Sequence, residues 1–440
     1  MKILFISLGC DKNLVDSEEM LGMLKQASYE FVDDETEADI IVINTCCFVN
    51  DAKEESIETI LQMSEYRKNG KCKALIVTGC LAQRYKDEII KEIPEVDAVL
   101  GTSSYDKIVE AVQNTLKGSK YEEYTSLDKL IVAEKDRVVT TGGYFAYLKI
   151  AEGCDKCCTY CIIPKIRGSY RSVEMDELIS SAENLVNNGA KELILVAQET
   201  TLYGVDIYGK KMLPQLLKRL CEIPGLVWIR LLYCYPEEIT DELIEVIKTE
   251  KKICKYIDMP IQHASDRILK LMGRRTNRQE LTEIILKLRR EIPDIVIRTT
   301  LISGFPNEDE EDHEQLMEFV DEMEFDRLGV FTYSPEEDTP AEKMPGQIEE
   351  AIKERRRDEI MELQQEIAFE KGENMTGKKV LVMIEGKIVD ENAYVGRTYM
   401  DAPGVDGNIF VVTNEELLTG DFVNVEVTGS KDYDLIGRIV

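Results

Sequence analysis

The sequence predicts an α/β protein in three parts. These are an N-terminal open parallel α/β domain, a central (β/α)6 partial barrel related to the TIM barrel, and a small C-terminal all-β barrel of OB type. Three observations predict it. Short apolar runs alternate with helical stretches through the first 125 residues, a strand-then-helix unit recurs six times from Tyr144, and five short strands with glycine turns follow Met375. The expected boundaries are 1–125, 140–372 and 373–440.

In the first part, Ile3–Ser7, Ile40–Asn44, Ala74–Thr78 and Ala98–Leu100 read as strands, with helices over Asn13–Lys25, Ala52–Arg67 and Gln83–Lys91. Cys10, Cys46 and Cys80 each follow one of the first three strands. Ligands of an open parallel sheet gather outside the carboxyl ends of its strands, so three cysteines delivered there should converge. The alternative is three unrelated buried thiols, since free cysteine packs as a small hydrophobe. Convergence of three cysteines suggests an iron–sulfur cluster with one open iron. Cys47 and Cys72 lack this placement and read as structural.

A polar connector, Gly118 to Gly143, leads into the second part. Its strands are expected at Tyr144–Ile150, Glu192–Ala197, Val227–Leu232, Tyr256–Met259, Ile295–Leu301 and Arg327–Tyr333. Helical runs lie between them and follow the last, ending in one long charged helix, Ile348–Lys371. Four cysteines crowd the end of the first of these strands: Cys154, Cys157, Cys158 and Cys161. Two abutting C-x2-C pairs would suit tetrahedral zinc, although one short segment can hardly wrap four ligands around an ion. The other reading is C-x3-C-x2-C through Cys154, Cys158 and Cys161. It leaves one iron of a [4Fe–4S] cluster without a protein ligand, where a fully held cluster takes four cysteines. With Tyr160 before the last cysteine, this resembles the radical S-adenosylmethionine (SAM) signature, and Cys157 becomes a bystander.

Polar residues crowd the other strand ends: Gln198 and Glu199, Tyr233 and Tyr235, Gln262 and His263, Ser303 and Gly304, and Ser334. His263 reads as a structural hydrogen-bonder. Arg298, within a strand, needs a carboxylate from SAM or from the protein. The Arg355-Arg356-Arg357 run reads as a solvated face. In the third part the expected strands are Lys379–Glu385, Tyr394–Tyr399, Asn408–Val412, Phe422–Val427 and Leu435–Val440. From Met375 to Val440 there are 11 acidic and 6 basic residues, which argues against tRNA.

The whole chain carries 84 acidic and 54 basic residues, a net charge of −30. Such a charge opposes non-specific attraction to phosphates and favours a basic partner. Twelve cysteines in 440 residues are too sparse for a disulfide scaffold. No apolar run reaches the roughly 18 residues needed to span a bilayer, and none near Met1 suits a signal peptide. A cytosolic location is expected, with no membrane partner.

Three modules in this order resemble the radical-SAM methylthiotransferases, which join a cluster-binding domain, a radical-SAM core and a TRAM barrel. Gly9-Cys10-Asp11-Lys12-Asn13-Leu14-Val15-Asp16-Ser17-Glu18 resembles the opening motif of the branch that modifies a ribosomal protein. Tyr256-Ile257-Asp258-Met259-Pro260-Ile261-Gln262-His263-Ala264-Ser265-Asp266 and Gly396-Arg397-Thr398-Tyr399 also resemble that branch. Asp11 departs from the proline usual there, and Cys157 from a basic or polar residue. The resemblance implies methylthiolation of the β-carbon of an aspartate in the basic twelfth protein of the small ribosomal subunit, free or within the ribosome. A tRNA adenosine methylthiotransferase is the alternative. It also implies two [4Fe–4S] clusters, two SAM molecules and an electron donor such as flavodoxin or ferredoxin. Cys154, Cys158 and Cys161 would hold the cluster that cleaves SAM to a 5′-deoxyadenosyl radical, which abstracts hydrogen from the unactivated carbon. Cys10, Cys46 and Cys80 would hold the auxiliary cluster that carries the sulfur. Tyr160, Gln198, Ser303 and Gly304 are the expected SAM contacts.

Overall fold

The computed structural model describes residues 1–129, 137–389 and 391–440. Residues 130–136 of the expected connector, and Asp390 in the third part, lie outside the described residues. The first sheet comprises β1 (Lys2–Ser7), β2 (Glu30–Phe31), β3 (Ile40–Thr45), β4 (Ala74–Gly79), β5 (Ala98–Leu100) and β6 (Tyr121–Glu123). It is parallel, in the order β2-β1-β3-β4-β5-β6. Helices cover both faces, so β3 and β4 are buried at every position and read as unbroken apolar runs. The two edge strands were not expected. They are short and carry charge, as solvent-facing edges do. The helix Ile108–Thr115 was also unexpected, although its buried Ile108, Ala111, Val112 and Thr115 carry helical spacing.

The second sheet contains β7 (Phe145–Lys149), β10 (Glu192–Val196), β11 (Trp228–Leu231), β12 (Ile253–Asp258), β13 (Val296–Ser303) and β14 (Arg327–Thr332). They lie in chain order and do not close. This is the six-unit partial barrel expected. A small antiparallel ribbon, β8 (Ala151–Glu152) with β9 (Arg171–Ser172), brackets the cysteine loop. The third part is a closed barrel of β15 (Lys379–Lys387), β16 (Ala393–Thr398), β17 (Ile409–Val412), β18 (Phe422–Lys431) and β19 (Asp434–Ile439).

The partial barrel buries its two faces differently. Leu193 and Leu195 face the helices, while Ile194 and Val196, with Trp228 and Tyr256, join a core shared with the small barrel. Buried ion pairs pin this contact. Glu192, fully buried, accepts from Arg230 at 2.8 Å and from Arg397 at 2.6 Å. Arg298 meets Asp258 at 3.0 Å and Asp406 at 3.3 Å. The carboxylate that Arg298 requires is therefore the protein's own.

The long helix spans Glu350–Glu373 and contradicts one expectation. Arg356 is buried, not solvated: it donates to Glu308 at 2.9 Å and to Glu310 at 3.2 Å. Its neighbours Arg355 and Arg357 stay outside, because only one of three successive helical positions faces the packed side. Among the described residues, no helix is long and apolar enough to cross a membrane.

The Glu192 cluster makes the docking of the small barrel pH-dependent. Burial raises the Glu192 carboxyl, but Arg397 and Arg230 outweigh it and the net shift is downward from 4.5. Its stabilising contribution is complete above that value and is lost as pH falls through the lower folded value. Arg397→Ala should destabilise the chain by about 3–5 kcal/mol in denaturant unfolding at neutral pH. The gap between wild type and variant should narrow on acidification below pH ~4.5.

Candidate cluster and cofactor site

The first sheet delivers three cysteines to one place. Cys10 caps the helix Asp11–Gln26, Cys46 follows β3, and Cys80 opens the helix Cys80–Glu92 after β4. Gly9 has φ +88°, and a Cβ there would fall 2.8 Å from the Cys46 sulfur. Only glycine lets the loop before Cys10 approach Cys46 so closely. Burial raises the Cys46 thiol, and Cys10 raises it further. The Cys80 thiol is also raised by burial; Arg167 opposes this, while Cys47, Cys46 and Cys10 add to it. The three thiols thus share one electrostatic neighbourhood, as expected. Cys47, fully buried, belongs to it as well, since it adds to the rise of the Cys80 thiol. Cys72 lies apart, its thiol donating to the Ala74 carbonyl at 3.2 Å.

The second group sits on the loop between β8 and β9. Gly153 has φ +81°, and a Cβ there would meet the Ser169 carbonyl oxygen at 2.1 Å. The loop is tied at three points. The Cys154 amide donates to the Gly168 carbonyl at 3.1 Å, that of Cys161 to Cys158 at 3.0 Å, and that of Thr159 to Met272 at 2.9 Å. Burial pushes the Cys154 thiol up to about 12, with Cys158 contributing. Cys161 is raised by burial and by Cys158, Cys154 and Cys157. Cys154 and Cys158 are buried, Cys161 is half-buried, and Cys157 is exposed with φ +53°. Cys157 is thus the most accessible thiol of the loop, although it stands close enough to Cys161 to raise it.

Tyr235 and Arg274 back this loop. The Tyr235 hydroxyl lies 3.7 Å from the Cys158 sulfur, and the Arg274 guanidinium stacks 4.2 Å from the Tyr235 ring centroid. Arg274 donates from Nη2 to the Pro260 carbonyl at 2.8 Å, but its Nε and Nη1 are buried without a partner. Gln198 donates to Glu152 at 2.7 Å and leaves its Oε1 buried and unpartnered. Glu199, fully buried, is pushed up to about 7 by burial, with its Oε2 unpartnered. Tyr160 is half-buried, edge-on to Phe305.

Ser303 and Gly304 are placed differently from expectation. The Ser303 hydroxyl donates to the Lys353 carbonyl at 2.7 Å, and the Gly304 amide donates to Glu308 at 2.8 Å. A Cβ on Gly304 would strike the Lys353 side chain at 2.2 Å. Their polar groups and their space go to anchoring the long helix. His263 is fully buried; its Nδ1 accepts from the Ser265 amide at 2.9 Å, in the structural role expected.

The residue that joins the two cysteine groups was not among those expected. Arg167, 2% exposed, ends the short helix Ile163–Arg167 that follows Cys161. Its Nη1 donates to Asp16 at 2.7 Å and to Glu152 at 3.0 Å. Its Nη2 donates to Asn13 at 3.1 Å and to the Cys80 sulfur at 3.4 Å. Nothing in local spacing marks this arginine, because all four partners are brought to it by tertiary folding. Lys12 is a second such residue: its ammonium lies 3.3 Å above the Tyr233 ring and 3.1 Å from Asp11, whose other oxygen is buried without a partner.

Among the described residues, no three His, Cys, Asp or Glu side chains close as ligands of one metal ion would. A four-iron cube is a larger body, and its thiolates stand farther apart. Two groups of thiols, buried but for the exposed Cys10 and the half-buried Cys161, one with a guanidinium on a sulfur and one beside unpartnered polar atoms, fit cluster ligation and a polar cofactor. Such thiols shed their protons when metal binds.

Three family models match the chain: "Uncharacterized protein family UPF0004" over residues 2–101, the radical SAM superfamily over 148–320, and the TRAM domain over 376–440. A "Ribosomal protein uS12 methylthiotransferase RimO" of Lachnoclostridium phytofermentans is 64% identical over 99% of each chain. The protein of the same name from Acetivibrio thermocellus is 53% identical, covering 100% of this chain and 98% of that one. The solved structure of the radical SAM methyltransferase TsrM from Kitasatospora setae, with cobalamin and a [4Fe-4S] cluster bound, superposes with a TM-score of 0.56. Identity is 13%, covering 77% of this chain and 76% of that one. The cobalamin-dependent radical enzyme OxsB gives 0.53 at 13% identity, over 83% and 56%. At such identity these two likenesses concern fold alone.

The different placements of Cys157 and Cys158 predict different iron contents after anaerobic reconstitution. Cys157→Ala should keep about eight irons per chain, as two [4Fe–4S] clusters require, whereas Cys158→Ala should fall towards about four. Iron and sulfide analysis of both variants checks this.

Proposed function

The chain belongs to the family of ribosomal protein uS12 methylthiotransferases, within the radical SAM superfamily, and from that membership we propose its reaction. The enzyme transfers a methylthio group to the β-carbon of an aspartate of uS12, using two SAM molecules and two [4Fe–4S] clusters. The carrying observation is that Arg167 touches Cys80 of one thiol group while its neighbour Gly168 accepts the Cys154 amide of the other. Two cysteine sets fixed by adjacent residues suit a reaction that joins a radical step to a sulfur-transfer step.

In this proposal residues 1–125 carry the sulfur, 140–372 generate the radical, and 373–440 form the TRAM barrel. Cys154, Cys158 and Cys161 hold the first cluster; Cys10, Cys46 and Cys80 hold the auxiliary one. When bound, these groups supply the one-electron cleavage of SAM and the transferable sulfur. The chain's residues do the rest. Unpartnered Gln198 Oε1 and the free edge of Arg274 are polar positions for SAM, with Tyr160 at the loop's margin. Tyr235 orders the cysteine loop through Cys158 and Arg274. Ser303 and Gly304 shape this side by fixing the long helix. The net charge of −30 favours a basic protein substrate over tRNA. The electron donor is a small low-potential carrier such as flavodoxin or ferredoxin.

Offering purified uS12 and tRNA separately, with mass spectrometry for the added methylthio group, tests the substrate. Modification of tRNA alone would overturn the reading. Cys80→Ala should abolish methylthiolation, by at least ~100-fold, while retaining reductive SAM cleavage measured as 5′-deoxyadenosine. Loss of both activities would contradict the division of labour.

A further inference from the structure

We infer that Arg167 is a positioning residue that sets the reduction potential of the auxiliary cluster through its contact with Cys80, and that Glu152 counteracts it. This rests on the two-cluster reading above. The guanidinium divides its donors unequally. Nη1 faces the carboxylates of Asp16 and Glu152, at 2.7 and 3.0 Å. Nη2 faces the uncharged amide of Asn13 and the Cys80 sulfur, at 3.1 and 3.4 Å. Asn13 is itself clamped, donating to the carbonyls of Leu8 at 2.6 Å and Thr45 at 3.3 Å. The donor aimed at sulfur is therefore held on a rigid frame.

Burial gives the contact its effect. Arg167 is 2% exposed and Cys80 5% exposed, so water screens the charge little. Adding one electron to a cluster makes or breaks no bond; it places one more negative charge on iron and sulfur. An N–H donor and a cation on a ligand sulfur stabilise that reduced form more than the oxidised one, and so raise the potential. Glu152 approaches the same guanidinium from the opposite side, paired also with Lys149 at 3.2 Å, and its negative charge works in the other direction. Arg167 has no hydrogen bond to Cys154, Cys158 or Cys161 among the described residues. Its direct action is confined to the auxiliary site.

The test is a dithionite redox titration of the full chain with both clusters, followed by electron paramagnetic resonance. SAM perturbs the first cluster's signal and so distinguishes the two. Arg167→Gln should shift the auxiliary midpoint to more negative potential, and Arg167→Lys less far. Glu152→Gln should shift it to more positive potential. Opposite signs are a result that general loosening of the fold would not give. Should Arg167→Gln fail to fold, Glu152→Gln still decides, because an unmoved or negative shift there overturns the inference. With about eight irons present and no shift in any variant, this inference falls while the two-cluster reading stands. With about four irons in wild type, both fall together.

Discussion

The structure depends on a knot of four buried charges between the first sheet and the partial barrel. Asp16 comes from the first part, while Lys149, Glu152 and Arg167 come from the barrel; Lys149 and Arg167 each contact both carboxylates. No side chain in the knot is more than 14% exposed. Taking such charges from water costs several kcal/mol per ion, and only good mutual geometry offsets it. Burial raises the Glu152 carboxyl, but Arg167 and Lys149 overcome this and hold it down to about 2. Separated, the barrel would keep two cations against one carboxylate, and Asp16 would face none of its partners. The two parts are therefore committed to one arrangement, and both cysteine groups inherit that register.

The same device recurs at the other end of the barrel. Arg230 and Arg397 close on Glu192, Arg298 on Asp258 and Asp406, and Arg327 on Asp401 at 3.0 Å. Each group sets guanidinium against carboxylate inside the protein, where planar bidentate geometry favours arginine over lysine. These four arginines meet four carboxylates, Glu192, Asp258, Asp401 and Asp406, so the pairs cancel and leave the excess of acidic residues, 84 against 54 basic, to the rest of the chain.

Much of this architecture is legible in the sequence because it is local. β3 and β4 announce themselves as unbroken apolar runs, and the six strand–helix units of the barrel repeat with the right periods. The cysteines sit where strands end, so their convergence follows from topology. What escapes prediction is decided at a distance. Ser303 and Gly304 look like a ligand turn, yet Lys353, fifty residues on, takes the hydroxyl and fills the space. Arg356 sits in a charged run, and only Glu308 and Glu310 reveal that it faces inward. Arg298 needed a carboxylate, and no pattern could say that Asp406 of another part would provide it. Arg167 is the extreme case, since its four partners come from three separate places in the chain.

The opening motif shows how one short helix serves all these demands. Its residues divide by face, as helical geometry requires. Asn13 and Asp16, three apart, meet Arg167. Ser17 bonds Ser7 and Asn44 within its own sheet, at 2.7 and 2.8 Å. Glu18, fully buried, turns to Arg137 and Thr140 on the way into β7. At the front of the helix, Asp11 pairs with Lys12 and accepts from the Tyr233 hydroxyl at 3.2 Å, contacts that a proline could not make. Cys10 stands at the N-terminus of this helix. A helix gripped by the barrel at Asp11, Asn13 and Asp16 cannot shift its first turn independently. The position of the Cys10 sulfur relative to the loop of Cys154, Cys158 and Cys161 is thus set by the interface itself.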